Sequence, residues 1–412
     1  MKIRRTKIAS PERTRLRALG AREGWLLESP DALRVGFGDS VLIVDLGAGL
    51  AHGDDASRVL REVHLEGEPG PAGTGVVAFA TLPFDRYANG QLHVPRFVVT
   101  VEKSGDAWVS AVDGDDHWRT FLDDVTEPTQ EPQSLRSLNL QPTPDEYAHH
   151  VAQAVEILRR KEIDKVVLAR AVLGTVPDVI DPAALVARLK VREPICTLYS
   201  LPTLDGRRFV GASPELLVRR RGSIVQCHPL AGTIALPANV APDDYQNWLL
   251  GSTKNLHEHG VLVDEVVRNL SRQYDDIVAD AQPSIVTLRT VAHLGTWITA
   301  TSHDAEPPDA LSVLRLLHPT AAVGGIPRER ADELIRQLEM HNRGHYAGPL
   351  GWLDADGDGE WWVGIRGVLV DGANFEAWAG AGIVSESDPI AEREETRDKL
   401  QSVLSSLLVD RL

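Results

Sequence analysis

Short β-type runs, punctuated by glycine and proline, occupy both ends of this 412-residue chain, and helix-type segments fall between them without alternating one for one. That irregular order is what most constrains the fold. Regular strand–helix–strand alternation would build a doubly wound sheet; its absence predicts the α+β class. In the first 135 or so residues, VLIVDLGAGLA (41–51), TGVVAFATL (74–82) and PRFVVTVEK (95–103) read as strands, and the polar stretch 123–144 reads as an exposed connection. At residue 143 the pattern changes. Thr143, Pro144 and Glu146 supply an N-cap, a first-turn proline and a capping-box acid. Tyr147, Val151, Val155 and Leu158 then recur at helical spacing, and the apolar strand KVVLAR (165–170) follows. Residues 243–272 predict one long helix, 327–340 another, and a C-terminal helix starts at Asp388-Pro389. VTLRTVAHL (286–294), YAGPLGWL (346–353) and WWVGIRGVLV (361–370) are β-type. We expect one domain over 1–412, with a β-rich part at 1–139 and a motif-bearing part at 140–405.

Composition narrows the function. A hydrophobic share of 43% allows a large core, and a net charge of −16 argues against a nucleic-acid groove or an anionic membrane as partner. An anionic small molecule stays possible if local cations or a metal reverse the field in one pocket. Two cysteines, Cys196 and Cys227, cannot build a disulfide framework or a Cys-rich zinc site, so a reducing, cytoplasmic setting is expected. The N-terminus MKIRRTKIASPERTRLRAL lacks the apolar stretch of a signal peptide, and no run of apolar residues is long enough for a membrane helix.

Several residues are candidates for chemistry. Glu258 sits mid-helix; Glu392 and Glu395 share one helix face, with Lys399 a turn further on. Carboxylates converging from two helices would make an all-oxygen site suited to Mg²⁺, although a solvated surface Glu is the commoner case for any one of them. Lys165 heads an apolar strand. It either snorkels to solvent or, walled by apolar groups near a cation, serves as a general base. Glu215 lies in FVGASPELLVRR; enclosed among apolar groups it would stay protonated and could act as a general acid. Arg366, on the VGIRGVLV strand, calls for an anionic partner, either an internal carboxylate or a substrate's. HPLAGT (228–233) and GAG (380–382) offer turns with free backbone N–H groups.

Three metal-like patterns are set aside. His257 and His259 are two apart on a helix and diverge. DADGDGE (354–360) starts like a calcium loop but has Ile365 at its twelfth position, so a hairpin turn is expected. His341 and His345 are separated by a helix-weakening Gly344.

Taken in order, KVVLAR, GASPELL, PLAGT, Lys254-x-x-x-Glu258-His259, AHLGT, LHPTAAVGGIPR, HYAGPLGW, GIRG, AGAGIV and P-x-x-E-x-x-ET-x-x-K (389–399) resemble the chorismate-utilising enzymes over residues 140–405. The resemblance implies one α+β unit: two large packed sheets, helices outside, and the active site in the cleft between. It implies Lys165 as the base that activates water against ring carbon 2 and Glu215 as the acid for the departing C4 hydroxyl. Glu258 and Glu395 match Mg²⁺ ligands, with Glu392 beside them. Tyr346, Arg366, Gly380 and Gly382 match groups that hold the pyruvyl carboxylate; Gly232, Thr233, His293 and Lys399 match other pocket positions. Ala322 in LHPTAAVGG resembles isochorismate synthases, where ammonia-using relatives tend to carry threonine.

The expected activity is therefore a Mg²⁺-dependent isomerase, isochorismate synthase, in a chain that acts as a monomer on chorismate. Salicylate synthase, an ammonia-using anthranilate or aminodeoxychorismate synthase, and a non-catalytic paralogue are the alternatives. The product would feed menaquinone or siderophore synthesis. WLLES (25–29) resembles a signature of amino-acid-regulated anthranilate synthases and reads otherwise as an ordinary element. Two departures stand out: Asn255-Leu256 where relatives carry an acid and arginine, and IALP after PLAGT.

Overall fold

A computed structural model describes residues 1–47, 49–50, 56–236 and 242–410. Among them one hydrogen-bonded sheet of twenty strands runs through most of the chain, and the long strand Gln91–Glu102 is where it divides. That strand pairs with Ala32–Asp45 along its length, with Ala107–Val112 toward its C-terminal end, and with Val77–Thr81 at Phe79–His93. One branch continues from Ala32–Asp45 through Trp25–Glu28, Thr197–Pro202, Arg208–Ser213, Gly367–Asp371 and Asn374–Ile383 to Lys165–Thr175. The other continues from Val77–Thr81 through Pro349–Asp354, Gly359–Val363, Leu216–Arg221 and Ile224–His228 to Ile298–Thr301. Every pairing named here is antiparallel.

The two branches pack face to face. Tyr199, Leu201 and Phe209 from the first share a buried cluster with Phe79, Trp352 and Trp362 from the second. Burial of each such side chain contributes roughly 1.5–3 kcal/mol. The expected two-sheet α+β architecture is thus observed, with the sheets continuous through one strand. Strands from before and after residue 139 interleave, as where Trp25–Glu28 pairs with Thr197–Pro202.

The helix Pro144–Leu158 begins with the expected capping box: Thr143 and Glu146 satisfy each other's backbone N–H groups. Tyr147, Val151, Val155 and Leu158 are buried, and the Tyr147 hydroxyl donates to Leu168 O at 2.8 Å. The C-terminal helix Pro389–Leu404 starts at Asp388, whose carboxylate accepts from the N–H groups of Ile390 and Ala391. Arg170 ties that helix to the sheet through Thr396 Oγ1 at 2.9 Å.

Several expectations need correction. The predicted helix over 243–272 is two, Pro242–Gly251 and Thr253–Leu270. The Ser252 hydroxyl accepts from the Asn255 N–H and starts the second helix, which turns a loop-forming residue into a cap. VTLRTVAHL is a hairpin, Ser284–Thr287 against Val291–Gly295, which joins Leu230–Ala235 in a separate three-stranded sheet. VLIVDLGAGLA contributes only its first five residues to a strand, which ends at Asp45; Ala48 and Ala51 lie outside the described residues. The polar stretch 123–144 contains an edge strand, Ser137–Gln141, paired with Lys165–Thr175. Arg366 is not on a strand: it sits between Gly359–Val363 and Gly367–Asp371 with φ +55°. WLLES is the buried strand Trp25–Glu28 and the residue after it. The DADGDGE segment is a hairpin turn, as expected, with Gly357 at φ +81°. Among the described residues no helix is long and apolar enough to cross a membrane.

Candidate active site

A cavity of about 80 Å³ opens where the strands Lys165–Thr175 and Asn374–Ile383 meet the three-stranded sheet and the helices Thr253–Leu270 and Pro389–Leu404. Lys165 is the first residue of its strand, and its side chain is 2% exposed. Its ammonium lies 2.9 Å from Glu258 Oε1. This close approach depends on Gly382, because a Cβ there would stand 2.5 Å from Glu258 Oε1 and 3.0 Å from Lys165 Cε. Glu215 follows the strand Arg208–Ser213 and opens on the same cavity. Burial raises its carboxyl to about 8, against a bond from the Leu230 N–H and the charges of Lys165 and Lys399. It is therefore a protonated acid at neutral pH.

Another wall is cationic. Arg366 donates from Nη1 to Ser402 Oγ at 2.9 Å and from Nη2 to His293 Nε2 at 3.1 Å. Among the described residues no carboxylate lies within ion-pair distance of it, so the internal salt bridge left open by the sequence is absent. Burial, then Arg366 and Lys399, hold His293 well below the usual histidine range. His293 is neutral. Because Nε2 accepts from a guanidinium, its proton sits on Nδ1, 3.1 Å from Thr233 Oγ1. Thr233 follows Gly232, whose φ of +70° lets the strand bulge; a Cβ there would meet Asn255 at 3.1 Å. Tyr346 is stacked on Trp378, and burial pushes its hydroxyl up to about 12. Gly380 donates its N–H to that hydroxyl, while its carbonyl accepts from Lys399 at 2.9 Å.

The third wall is acidic. Glu395 Oε1 pairs with Lys399 at 2.7 Å, and Glu392 Oε1 with Lys254 at 3.0 Å. Burial lowers Lys254, but its bonded partner Glu392, and then the charges of Glu258 and Glu395, raise it above the usual lysine range. Glu392 is itself raised, first by burial and then by Glu395.

A family model described as chorismate binding enzyme matches residues 52–408. This chain belongs to the chorismate-binding enzyme family. The vibriobactin-specific isochorismate synthase of Vibrio cholerae is 37% identical over 64% of this chain and 67% of its own. The isochorismate synthase MenF of Bacillus subtilis is 32% identical over 79% of this chain and 71% of its own. The solved structure of MenF from Escherichia coli, a menaquinone-specific isochorismate synthase, superposes with a TM-score of 0.80 at 26% identity, over 98% of this chain and 94% of that one. The ordered motifs thus identified the family, and the expected sheet architecture is that of a solved relative.

Within this chorismate-binding fold, Lys165, Glu215, Gly232, Thr233, Glu258, His293, Ala322, Tyr346, Arg366, Gly380, Gly382, Glu395 and Lys399 all line one cavity. Glu392 lies behind it, buried against Lys254. The two acidic helices do converge, but the three carboxylates do not close on one another. Among the described residues, only Asp115, Asp116 and His117 bring ligand atoms within 4.8 Å of one another, and they are on the surface. Glu258, Glu392 and Glu395 each hold a lysine instead. The donor set nevertheless fits a hard divalent cation: Glu258 and Glu395 face the cavity, and Glu392 stands buried behind them with its carboxyl raised by burial and by Glu395.

The set-aside histidines behave as expected. His257 is exposed, while His259 is buried with Nε2 at 2.7 Å from Thr296 Oγ1. His341 is exposed and His345 buried, past the end of the helix Arg328–Leu338. Sequence reasoning missed Arg343 and Trp378, which also line the cavity. A lone arginine after a helix carries no spacing signal. Trp378 could have been found from its place two residues before Gly380.

Proposed function

We propose that the chain is an isochorismate synthase, which interconverts chorismate and isochorismate. Lys165 takes a proton from water as its oxygen bonds to ring carbon 2. The ring double bonds shift, and the C4 hydroxyl leaves as water with the proton of Glu215. One water enters and one leaves, so the reaction is an isomerisation. The observation that carries this reading is the shared cavity of Lys165 and Glu215, a buried amine and a carboxyl held protonated up to about pH 8.

Arg366 and Tyr346 hold the pyruvyl carboxylate, assisted by backbone N–H groups near Gly380 and Gly382. Arg366 is suited to this because its charge has no protein carboxylate partner among the described residues. His293 and Thr233 fix the guanidinium's orientation, and Ala322 leaves room beside the attacking water. Lys399 anchors the Gly380 carbonyl. Glu258 and Glu395, with Glu392 behind them, would hold Mg²⁺, which supplies a hard positive charge to neutralise a substrate carboxylate.

The test is product analysis by NMR after incubation with chorismate and Mg²⁺ in ¹⁸O-water. Isochorismate carrying the label at carbon 2, with no pyruvate, is the expected result. Stoichiometric pyruvate would move the chain to salicylate synthesis, and an aminated product would overturn water as nucleophile.

A further inference from the structure

We propose that Arg343 and Glu339 form a positioning pair that sets Lys165 against the Ala322 loop; the inference rests on the function proposed above. The strand Lys165–Thr175 is covered on one edge by Asn374–Ile383 from Val166 to Thr175. On the other edge, near the cavity, the two-residue strand Gly325–Ile326 pairs only with Val166 and Lys165. Beyond it, the Val167 carbonyl and the Ala169 N–H face the protein interior and need partners.

The Arg343–Glu339 pair supplies both. Arg343 Nη2 donates to Val167 O at 2.8 Å, and Glu339 Oε1 accepts from the Ala169 N–H at 2.8 Å. A donor and an acceptor at this spacing replace the missing strand. The two side chains lock each other as a fork, Nε to Oε2 at 2.8 Å and Nη2 to Oε1 at 2.5 Å. Both are nearly inaccessible, at 1% and 4%.

Covering an edge would be a structural role. The remaining contact ties the pair to the site. Arg343 Nη1 donates to Val323 O at 2.6 Å. Val323 and its neighbour Ala322 line the cavity, as do Val167 and Lys165. One guanidinium therefore spans two carbonyls, one on the strand that carries the amine and one on the loop facing it. The backbone also joins them, through Val167 N–H to Gly324 O and Asp164 N–H to Ile326 O, each at 2.7 Å, on either side of the Gly325–Ile326 pairing. Four of the five N–H groups of Arg343 donate to protein acceptors, two of them to Glu339 and one each to Val323 O and Val167 O, so we assign it a role through Lys165 and the loop.

Three observations follow from a positioning role. Replacing both partners by apolar residues, in the double variant Glu339→Met with Arg343→Met, removes the charges together, a change that buried pairs often tolerate. The double variant should fold, bind chorismate with KM within about threefold of the parent, and lose about 10²-fold in kcat, the cost of misplacing a reacting group by about an ångström. Arg343→Lys keeps the charge but reaches one carbonyl, and should recover part of that loss. In hydrogen exchange without substrate, the Ala169 and Val167 amides of the double variant should exchange faster than the parent's.

Parental kcat in the folded double variant, or a loss confined to KM, overturns the proposal. If the double variant does not fold, Arg343→Lys decides: an intermediate kcat at parental KM supports the role, and parental kcat overturns it. Exchange reads the clamp whatever product the parent forms. A parent that makes another product overturns the proposed function, whereas unchanged amide exchange overturns the clamp.

Discussion

Two walls of the same cavity solve opposite electrostatic problems in opposite ways. On one, Arg366 is buried with a hydroxyl and a neutral imidazole as partners and no carboxylate among the described residues. On the other, Glu258, Glu392 and Glu395 each hold a lysine. A buried cation with no carboxylate within ion-pair distance is costly, and in the proposed function a substrate carboxylate offsets that cost at Arg366. The acidic wall instead pairs each carboxylate with a lysine, and in the proposed function a divalent cation takes the place of those lysines. The difference explains how a chain of net charge −16 presents a site for an anion.

The largest test of that contrast is Lys165→Ala. If Lys165 is both base and counter-ion, turnover should fall by about 10³-fold, within the range for a lost general base. Mg²⁺ affinity, read by calorimetry, should hold or tighten because Glu258 loses its competitor. A parallel collapse of affinity and turnover would make the lysine a structural counter-ion only.

The opposite wall is probed by Arg366→Lys. The fork that reaches Ser402 and His293 together is lost, while the charge stays. kcat/KM for chorismate should fall by about 10²-fold, the worth of one or two charged hydrogen bonds. A variant within twofold of the parent would show that any cation suffices there. A smaller effect belongs to Glu392→Gln. Glu392 stands behind the cavity, so Mg²⁺ affinity should weaken by about tenfold, with most turnover restored at saturating metal. Loss that metal does not restore would place Glu392 in direct contact with the reaction.

The same contrast separates what could be read from the sequence from what could not. The capping box at Thr143, the strand headed by Lys165 and the shared face of Glu392 and Glu395 are local patterns, and each stands where periodicity put it. The break at Ser252 escaped because an apolar period crosses it; only the hydroxyl's bond to Asn255 marks the second start. Arg366 was legible as a residue needing an anion but not as a residue at φ +55°, because that conformation is imposed by the strands on either side. The pairing of each carboxylate with a lysine also escaped. Glu395 with Lys399 is an i,i+4 pair inside one helix, but Glu258 with Lys165 and Glu392 with Lys254 join segments far apart in sequence, which no single segment encodes. Arg343 was invisible for the same reason: its backbone partners, Val323 and Val167, lie on two segments far from it in sequence.

Glu215 supplies the subtlest test, because its consequences for stability and for activity fall in adjacent pH windows set by one carboxyl. Its folded carboxyl is raised from 4.5 to about 8, chiefly by burial. The folded state therefore holds a proton that the unfolded chain releases above about 4.5. Stability contributed by this group is full below that value and is lost as pH rises through about 8. Glutamine mimics the protonated carboxyl at every pH. Glu215→Gln should thus unfold at nearly the parental denaturant midpoint in acid, and at a progressively higher relative midpoint as pH climbs toward 8. The alkaline limb of the parent's kcat/KM should begin where that change ends, as the folded carboxyl ionises around pH 8. A midpoint difference that stays flat with pH would mean that Glu215 is ionised in the folded chain. The acid would then be unavailable to the departing hydroxyl, and Lys165 would face a second carboxylate in place of a proton donor.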